Sequence, residues 1–402
     1  MWRMGVPVAT PVGLAECLAA ARALVVHGGY REAFERSVRE LTGAAFIGTA
    51  SSGRAALFFI LQAMKRGNSR DEVIVPAFVC PSVARAVVKA GLKPVVCDVG
   101  PHGSGLDLDS LESVISGRTL AVIVAHLYGY PCDLMAVADR ARTGGAMLIE
   151  DAAQAFGAKV HGRLAGTLGD AGMFSFGMSK VLWSAGGGVI AISNPDLTRR
   201  VALSLSQALP PTGWSQMADA FKMALLAALL RSHHLGPLDA VWSSQMRGKG
   251  DCDDFRAAAL SETHAAVACS LLRRLTEIAA VRASNANYFS THLSQYPGLV
   301  LPLVAAGSEP AFLRYPIVID DIARKRDLLT RLREAGINAS EMYARDSYDG
   351  VLALASRRVD CPRSEYLLDR MLNLPTHSFV TARDLTRTVE VFGSVLGGFK
   401  HF

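Results

Sequence analysis

No two of the seven cysteines (17, 80, 97, 132, 252, 269 and 361) stand as C-x-x-C, and none has the spacing of a zinc site. An odd number of thiols in a chain of 402 residues argues against a disulfide framework and for a reducing compartment, the cytoplasm. No block of five or six like charges occurs, so a nucleic-acid-binding arm is not expected despite a net formal charge of +6. With pI near 9.0, the surplus suits phosphate-bearing small molecules, and a plain solvated surface explains it equally well. The opening "MWRMGVPVATPVG" lacks a basic region followed by an apolar core, so no signal peptide is expected. The longest apolar run, "FKMALLAALL" at 221–230, is too short to span a bilayer and carries Lys222. Internal repeats and low-complexity segments are also missing.

What is present is a globular composition, 50% hydrophobic and 19% charged, in a chain long enough for two domains. From about 45 to 195, short Val/Ile/Leu-rich runs alternate with helical ones: "EVIVPAFVC" (72–80), "KPVVCDV", "LAVIVAHLYG" (120–129), "AMLIEDAAQA" (146–155), "GMFSFGM" (172–178) and "GVIAIS" (188–193). Such near-continuous runs predict a mostly parallel α/β sheet covered by helices on both faces, with ligands at the C-terminal strand ends. The rhythm breaks across 207–256, where an amphipathic helix carries "MADAFKMALLAALL" (217–230). That face reads as core or dimer contact in preference to a membrane surface. From about 258 one long helix is expected, leading to a smaller α+β domain.

Three short stretches carry chemistry. "IEDAAQAFG" (149–157) ends a hydrophobic strand on Glu150 and Asp151; a buried carboxylate stays ionised only beside a cation or hydrogen-bond donors, although local capping is an equal reading. "TASSGRAALFFILQAM" (49–64) is a Ser/Gly turn opening a helix, an anion site to which Arg54 adds charge, or simply an N-cap. It matches neither a P-loop nor a dinucleotide fingerprint. "FSFGMSK" (174–180) ends a strand-like run on Lys180, followed by glycines 186–188, which let backbone pass closely or form a loose turn. An anion cradle, a strand-end acid and an amine are what pyridoxal 5'-phosphate requires for its phosphate, ring nitrogen and aldehyde.

In "SSGRAAL", "DEVIVPAFVCPSV", "KPVVCDV", "VIVAHLYGYPCDL", "IEDAAQAFGA", "GTLGDAGMFSFGMSK" and "GGGVIAI", the chain resembles the DegT/DnrJ/StrS sugar aminotransferases; "LSETHAAVACSLLRRLTEI" and "LNLPTHSF" continue the likeness. The resemblance implies a fold-type-I pyridoxal-phosphate enzyme with a seven-stranded sheet sandwiched by helices. It implies an N-terminal segment (1–35) packing on the small domain, a large cofactor domain (36–257, divergent over 205–257), and a connecting helix with the small domain (258–402). Lys180 then matches the Schiff-base lysine, Asp151 the partner of the pyridine nitrogen, Gln154 the amide near the phenolic oxygen, and Ser175 the phosphate serine. Ser52, Gly53 and Arg54 fall in the phosphate turn and Cys80 where an aromatic often stacks on the ring. His126 and Tyr128, in "HLYG", are candidate substrate contacts, and for His126 a structural role at the sheet edge is at least an equal reading. Arg54 stands for the usual threonine, and the usual N-x-R-M run reads "AAAL" at 257–260. Arg247, Lys249 and Arg256 are candidate phosphate contacts or solvated loop residues.

The implied reaction moves an amino group from an amino acid, L-glutamate, to a keto group of a nucleotide-linked sugar, in a cytoplasmic homodimer without a metal. The rivals are an enzyme for a cyclitol or acyl ketone and a silent cofactor-binding regulatory or scaffold protein.

Overall fold

The computed structural model describes residues 10–26, 28–177, 179–232 and 255–397. Among the described residues the first part of the chain has nine strands, set between helices: β1 (Phe46–Ala50), β2 (Glu72–Pro76), β3 (Lys93–Cys97), β4 (Thr119–Ala125), β5 (Met147–Asp151), β6 (Lys159–Val160), β7 (Arg163–Leu164), β8 (Ala171–Ser175) and β9 (Gly188–Ile192). Seven of them make one sheet in the order β1-β9-β8-β5-β4-β2-β3. Only β9 runs against the others, since its pairings with β1 and β8 are antiparallel.

Helices cover both faces of this sheet, and the strand alternation sorts side chains between them. Ile123 of β4, Ile149 of β5 and Val73 and Val75 of β2 join a core with helices Gly53–Lys65 and Pro81–Lys89. Val122 and Val124, Leu148 and Ile74 turn the other way, into a core with helices Leu108–Val114 and Met135–Thr143. Each predicted strand forms, but the runs through 80, 129 and 155 overshoot: the strands stop at Pro76, Ala125 and Asp151, and turns follow. Those turns hold the candidate residues.

The single helix expected from 258 is corrected to two, Glu262–Leu272 and Leu275–Leu293. Residues 257–260 are extended instead: the Ala258 carbonyl accepts from Ser51 N–H at 2.8 Å, and Ala259 N–H donates to Leu209. Ser261 then caps the first helix by accepting from His264 N–H at 3.2 Å. A smaller sheet follows, β10 (Leu299–Val300) beside β12 (Arg314–Ile319) beside β13 (Met371–Pro375), under helices Ile322–Glu334 and Ala382–Leu396. Between them β11 (Ser308–Glu309) pairs with β6. Helix Leu14–Val25 packs on Glu262–Leu272 and on Gly213–Ser232. On that last helix Met223 and Ala227 are buried, whereas Trp214, Met217, Phe221 and Leu225 are exposed. Among the described residues no helix is long and apolar enough to cross a membrane.

The end of β5 sets the orientation of the site. Glu150 is fully buried and accepts hydrogen bonds from His126 Nε2 (2.9 Å), Gly166 N–H (2.7 Å), Leu168 N–H (2.6 Å) and Gly169 N–H (2.6 Å). His126 Nδ1 accepts from Cys132 N–H at 3.1 Å, so the ring proton sits on Nε2. Burial pushes the Glu150 carboxyl up, but the His126 hydrogen bond and the Gly166 and Gly169 amides together hold it below its ordinary value. A depressed carboxylate stabilises the fold above its unfolded value of 4.5 and ceases to do so as pH falls through the lower folded value. Glu150→Gln should cost about 3 kcal/mol of unfolding free energy at pH 7, because it leaves buried donors unmatched. Urea midpoints at pH 7 and below pH 4.5 will check this: the gap between wild type and variant should narrow in acid.

Candidate active site

Three turns converge at the C-terminal edge of the parallel strands. After β1, Ser52 accepts from Ala55 N–H at 3.2 Å and caps helix Gly53–Lys65, whose first-turn amides lack intrahelical acceptors. At the end of β8, half-buried Ser175 lies against that turn: a Cβ on Gly53 would stand 2.8 Å from Ser175 Cβ and 3.0 Å from its Oγ. At the start of β9, Gly187 adopts φ +111°, donates its N–H to Ser51 O and accepts from Phe176 N–H, both at 2.9 Å. A Cβ on Gly188 would collide with the Ser52 carbonyl. The triple glycine is therefore a close approach of backbone to the 51–53 turn and not a loose connection.

Asp151 ends β5 on the opposite side from Glu150. It is buried and accepts from Ala153 N–H at 3.0 Å. Burial raises its carboxyl above the ordinary value, and the Lys180 charge is the largest effect opposing this. Lys180 is half-buried, follows Ser179 at φ +65°, and donates its backbone N–H to Gly177 O at 3.3 Å. The lysine predicted from the sequence and the strand-end acid thus share one electrostatic environment.

Gln154, also buried, links this edge to the loop that carries Tyr343. Its carbonyl accepts from Tyr128 N–H at 2.8 Å, and its amide donates to the Tyr343 hydroxyl at 2.5 Å. The Tyr343 ring meets Phe78 edge-on at 5.8 Å. Burial, then the Cys80 thiol and Asp151, push that hydroxyl well above its ordinary value, so Tyr343 stays a neutral phenol. Cys80 itself accepts from Ser82 Oγ at 3.0 Å, directly before helix Pro81–Lys89. Tyr128 adopts φ 59° and donates its hydroxyl to the Met342 carbonyl. Tyr343 carries no motif: it arrives from the loop before helix Arg345–Leu354, and neighbouring sequence gives no sign of it, whereas Phe78 lies within "EVIVPAFVC", where only a strand is expected.

Other expectations fall elsewhere. His126 does not reach the cleft, since both ring nitrogens are engaged by Glu150 and Cys132. Arg54 lies over the Phe255 ring, 5.7 Å from its centroid. Arg256 is exposed, and its carbonyl accepts from Ser51 Oγ at 3.0 Å. Arg247 and Lys249 lie outside the described residues. No cluster of His, Cys, Asp and Glu among the described residues is arranged to hold a metal. The set matches a planar heterocycle with a phosphate, a basic ring nitrogen and an aldehyde: a turn of small residues for the phosphate, a desolvated acid that needs a cation, and an amine beside it. Pyridoxal phosphate has those three groups.

Comparison with known proteins agrees. The model of the DegT/DnrJ/EryC1/StrS aminotransferase family matches residues 14–250 and 255–392. A UDP-N-acetyl-3-dehydro-alpha-D-glucosamine 3-aminotransferase of Acidithiobacillus ferrooxidans is 29% identical over 92% of this chain and 90% of its own length. An L-glutamine:2-deoxy-scyllo-inosose aminotransferase of Streptoalloteichus tenebrarius is 32% identical over 81% of this chain and 72% of its own. Among solved structures, the aminotransferase TlmJ of Streptoalloteichus hindustanus superposes with a TM-score of 0.79, covering 98% of this chain and 99% of that one at 24% identity. The chain belongs to the DegT/DnrJ/EryC1/StrS family and is an aminotransferase with the fold-type-I architecture.

Proposed function

We propose that the protein transfers an amino group from an amino acid, L-glutamate, to a keto group on a nucleotide-linked sugar, with pyridoxal phosphate held covalently by Lys180. The observation that carries this reading is the meeting of a desolvated Asp151 with the Lys180 charge beside the 51–53 turn. The cofactor, when bound, supplies the conjugated ring that takes up the electron pair released at the donor's α-carbon. The remaining work falls to side chains. Asp151 would face the ring nitrogen and favour its protonated form, since a cation there offsets the cost of burying the carboxylate. Ser52, Gly53 and Ser175 would hold the phosphate, through hydroxyls and helix-end amides. Gln154 and Tyr343 present a paired amide and phenol to the ring's polar edge. The Lys180 amine would act as the base that takes the proton from the donor's α-carbon onto its own nitrogen.

The nucleotide-sugar substrate is supported by the Acidithiobacillus relative, whose name gives a UDP-linked keto-sugar as its substrate. A cyclitol ketone is the second reading, favoured by the higher identity to the 2-deoxy-scyllo-inosose enzyme. A panel of both ketone classes, with glutamate and glutamine as donors, separates them. The active unit is read as a homodimer in the cytoplasm, and sedimentation of the purified protein tests the oligomeric state.

Lys180→Ala should abolish turnover and leave no protein adduct after borohydride reduction; full activity in that variant would remove the proposal. Asp151→Asn should lower turnover about a hundredfold or more. A raised folded-state acid favours the fold below its unfolded value of 3.8 and loses that contribution as pH rises through the folded value. The cofactor-free Asp151→Asn variant should therefore melt above wild type at pH 7, with the difference vanishing below about pH 4, as calorimetry will read.

A further inference from the structure

The loop that carries Lys180 is bracketed by two non-glycine residues in the left-handed region, Ser179 at φ +65° and Ala185 at φ +68°. Side chains rarely accept that conformation unless neighbouring structure holds it. Part of the hold is local: Ser184 donates its N–H to Phe176 O at 3.1 Å and its hydroxyl to Gly186 O at 2.7 Å. The rest comes from distant segments. Thr10, fully buried, donates its hydroxyl to Val181 O at 2.9 Å. A Cβ on Gly187 would stand 2.9 Å from Leu260 Cδ1. One on Gly186 would stand 3.1 Å from His264 Cε1, with both ring nitrogens within 3.6 Å. The His264 imidazole therefore presses on the loop backbone directly after Ala185.

His264 has a second neighbour. Its Nε2 stands 3.1 Å from Asp219 Oδ2, within ion-pair distance, and the two side chains are only 11% and 19% exposed. Asp219 lies on the inward face of helix Gly213–Ser232 with the buried Met223 and Ala227, while Trp214, Met217, Phe221 and Leu225 take the outward face. An acid on an apolar inward face needs a donor or a cation beside it, and the imidazole supplies one. Direct contacts thus run from this helix through Asp219 and His264 to Gly186. From there the Gly187 N–H bond to Ser51 O carries them into the 51–53 turn.

We propose that His264 and Asp219 are positioning residues that hold the Lys180 loop against the 51–53 turn and so set the retention of the cofactor, a reading that rests on the function proposed above. Asp219 fixes the imidazole, and the imidazole fixes Gly186. The loop then keeps its amine and the phosphate turn at one separation, which a ligand bound at both ends must match. Helix Gly213–Ser232, in the stretch where the chain diverges from its relatives, acts on the site through this pair. Bulk alone does not suffice, because an apolar side chain at 264 fills the space but leaves the Asp219 carboxylate unmatched.

The test uses the full chain, freed of cofactor and titrated with pyridoxal phosphate. Absorbance of the bound form gives dissociation constants, and borohydride reduction counts the fraction joined to Lys180. His264→Leu should bind the cofactor about tenfold or more weakly, whereas His264→Gln, which keeps a donor toward Asp219, should retain most of the affinity. Asp219→Ala should match the loss in His264→Leu, and combining the two should cost nothing further. Asp219 is half-buried on one helix, so its variant gives the answer if His264→Leu does not fold. Equal affinities of the Leu and Gln variants, additive losses in the double variant, or a lower melting temperature with unchanged affinity each overturn the proposal. A wild-type chain that borohydride leaves unlabelled at Lys180 overturns the parent function instead, and this proposal with it.

Discussion

A carboxyl group taken out of water at the end of a parallel strand is the constraint on which the site depends. Asp151 bears a desolvation cost that Ala153 N–H offsets only in part, and Lys180 is the largest charge opposing it. The turn at 51–53, the serine ending β8 and the glycines opening β9 close around that pair because their strands end at one edge of one sheet. The cost is carried by the framework. The two helical layers bury nearly continuous strands, and that apolar surface leaves room for one poorly compensated charge.

Much of this was legible in the residues. Val/Ile/Leu runs set the parallel strands, since a strand covered on both faces has no polar face to alternate with. The acid, the lysine and the Ser/Gly turn could be picked out because each sits where an apolar run stops. Strand ends were less legible: Phe78, Val79 and Ala155 are as buried as strand residues but lie in turns, so hydrophobicity alone carried those predictions too far. The long helix expected from 258 failed for a related reason. "AAAL" has high helix propensity, yet tertiary pairing with Ser51 and Leu209 holds it extended.

Tyr343 could not be found from a motif. It reaches Gln154 through a pairing made far away in the chain, that of Ser340 with Asn373 of β13. His126 resolves to the structural of its two readings. It stands one residue beyond β4 in a motif that invites a catalytic role, yet the Glu150 carboxylate and the Cys132 amide take up both of its nitrogens. A histidine so engaged serves to orient the acid behind the sheet.

Glu150 and Asp151 are neighbours on one strand, and their two tasks lie on opposite sides of it. Sliding β5 by a single position against β4 or β8 would turn both to the wrong faces, setting the functional acid among the amides of 166–169 and withdrawing its neighbour from them. Both halves of the molecule would fail together, so alignment of this one strand is checked twice during folding: once by the framework and once by the chemistry.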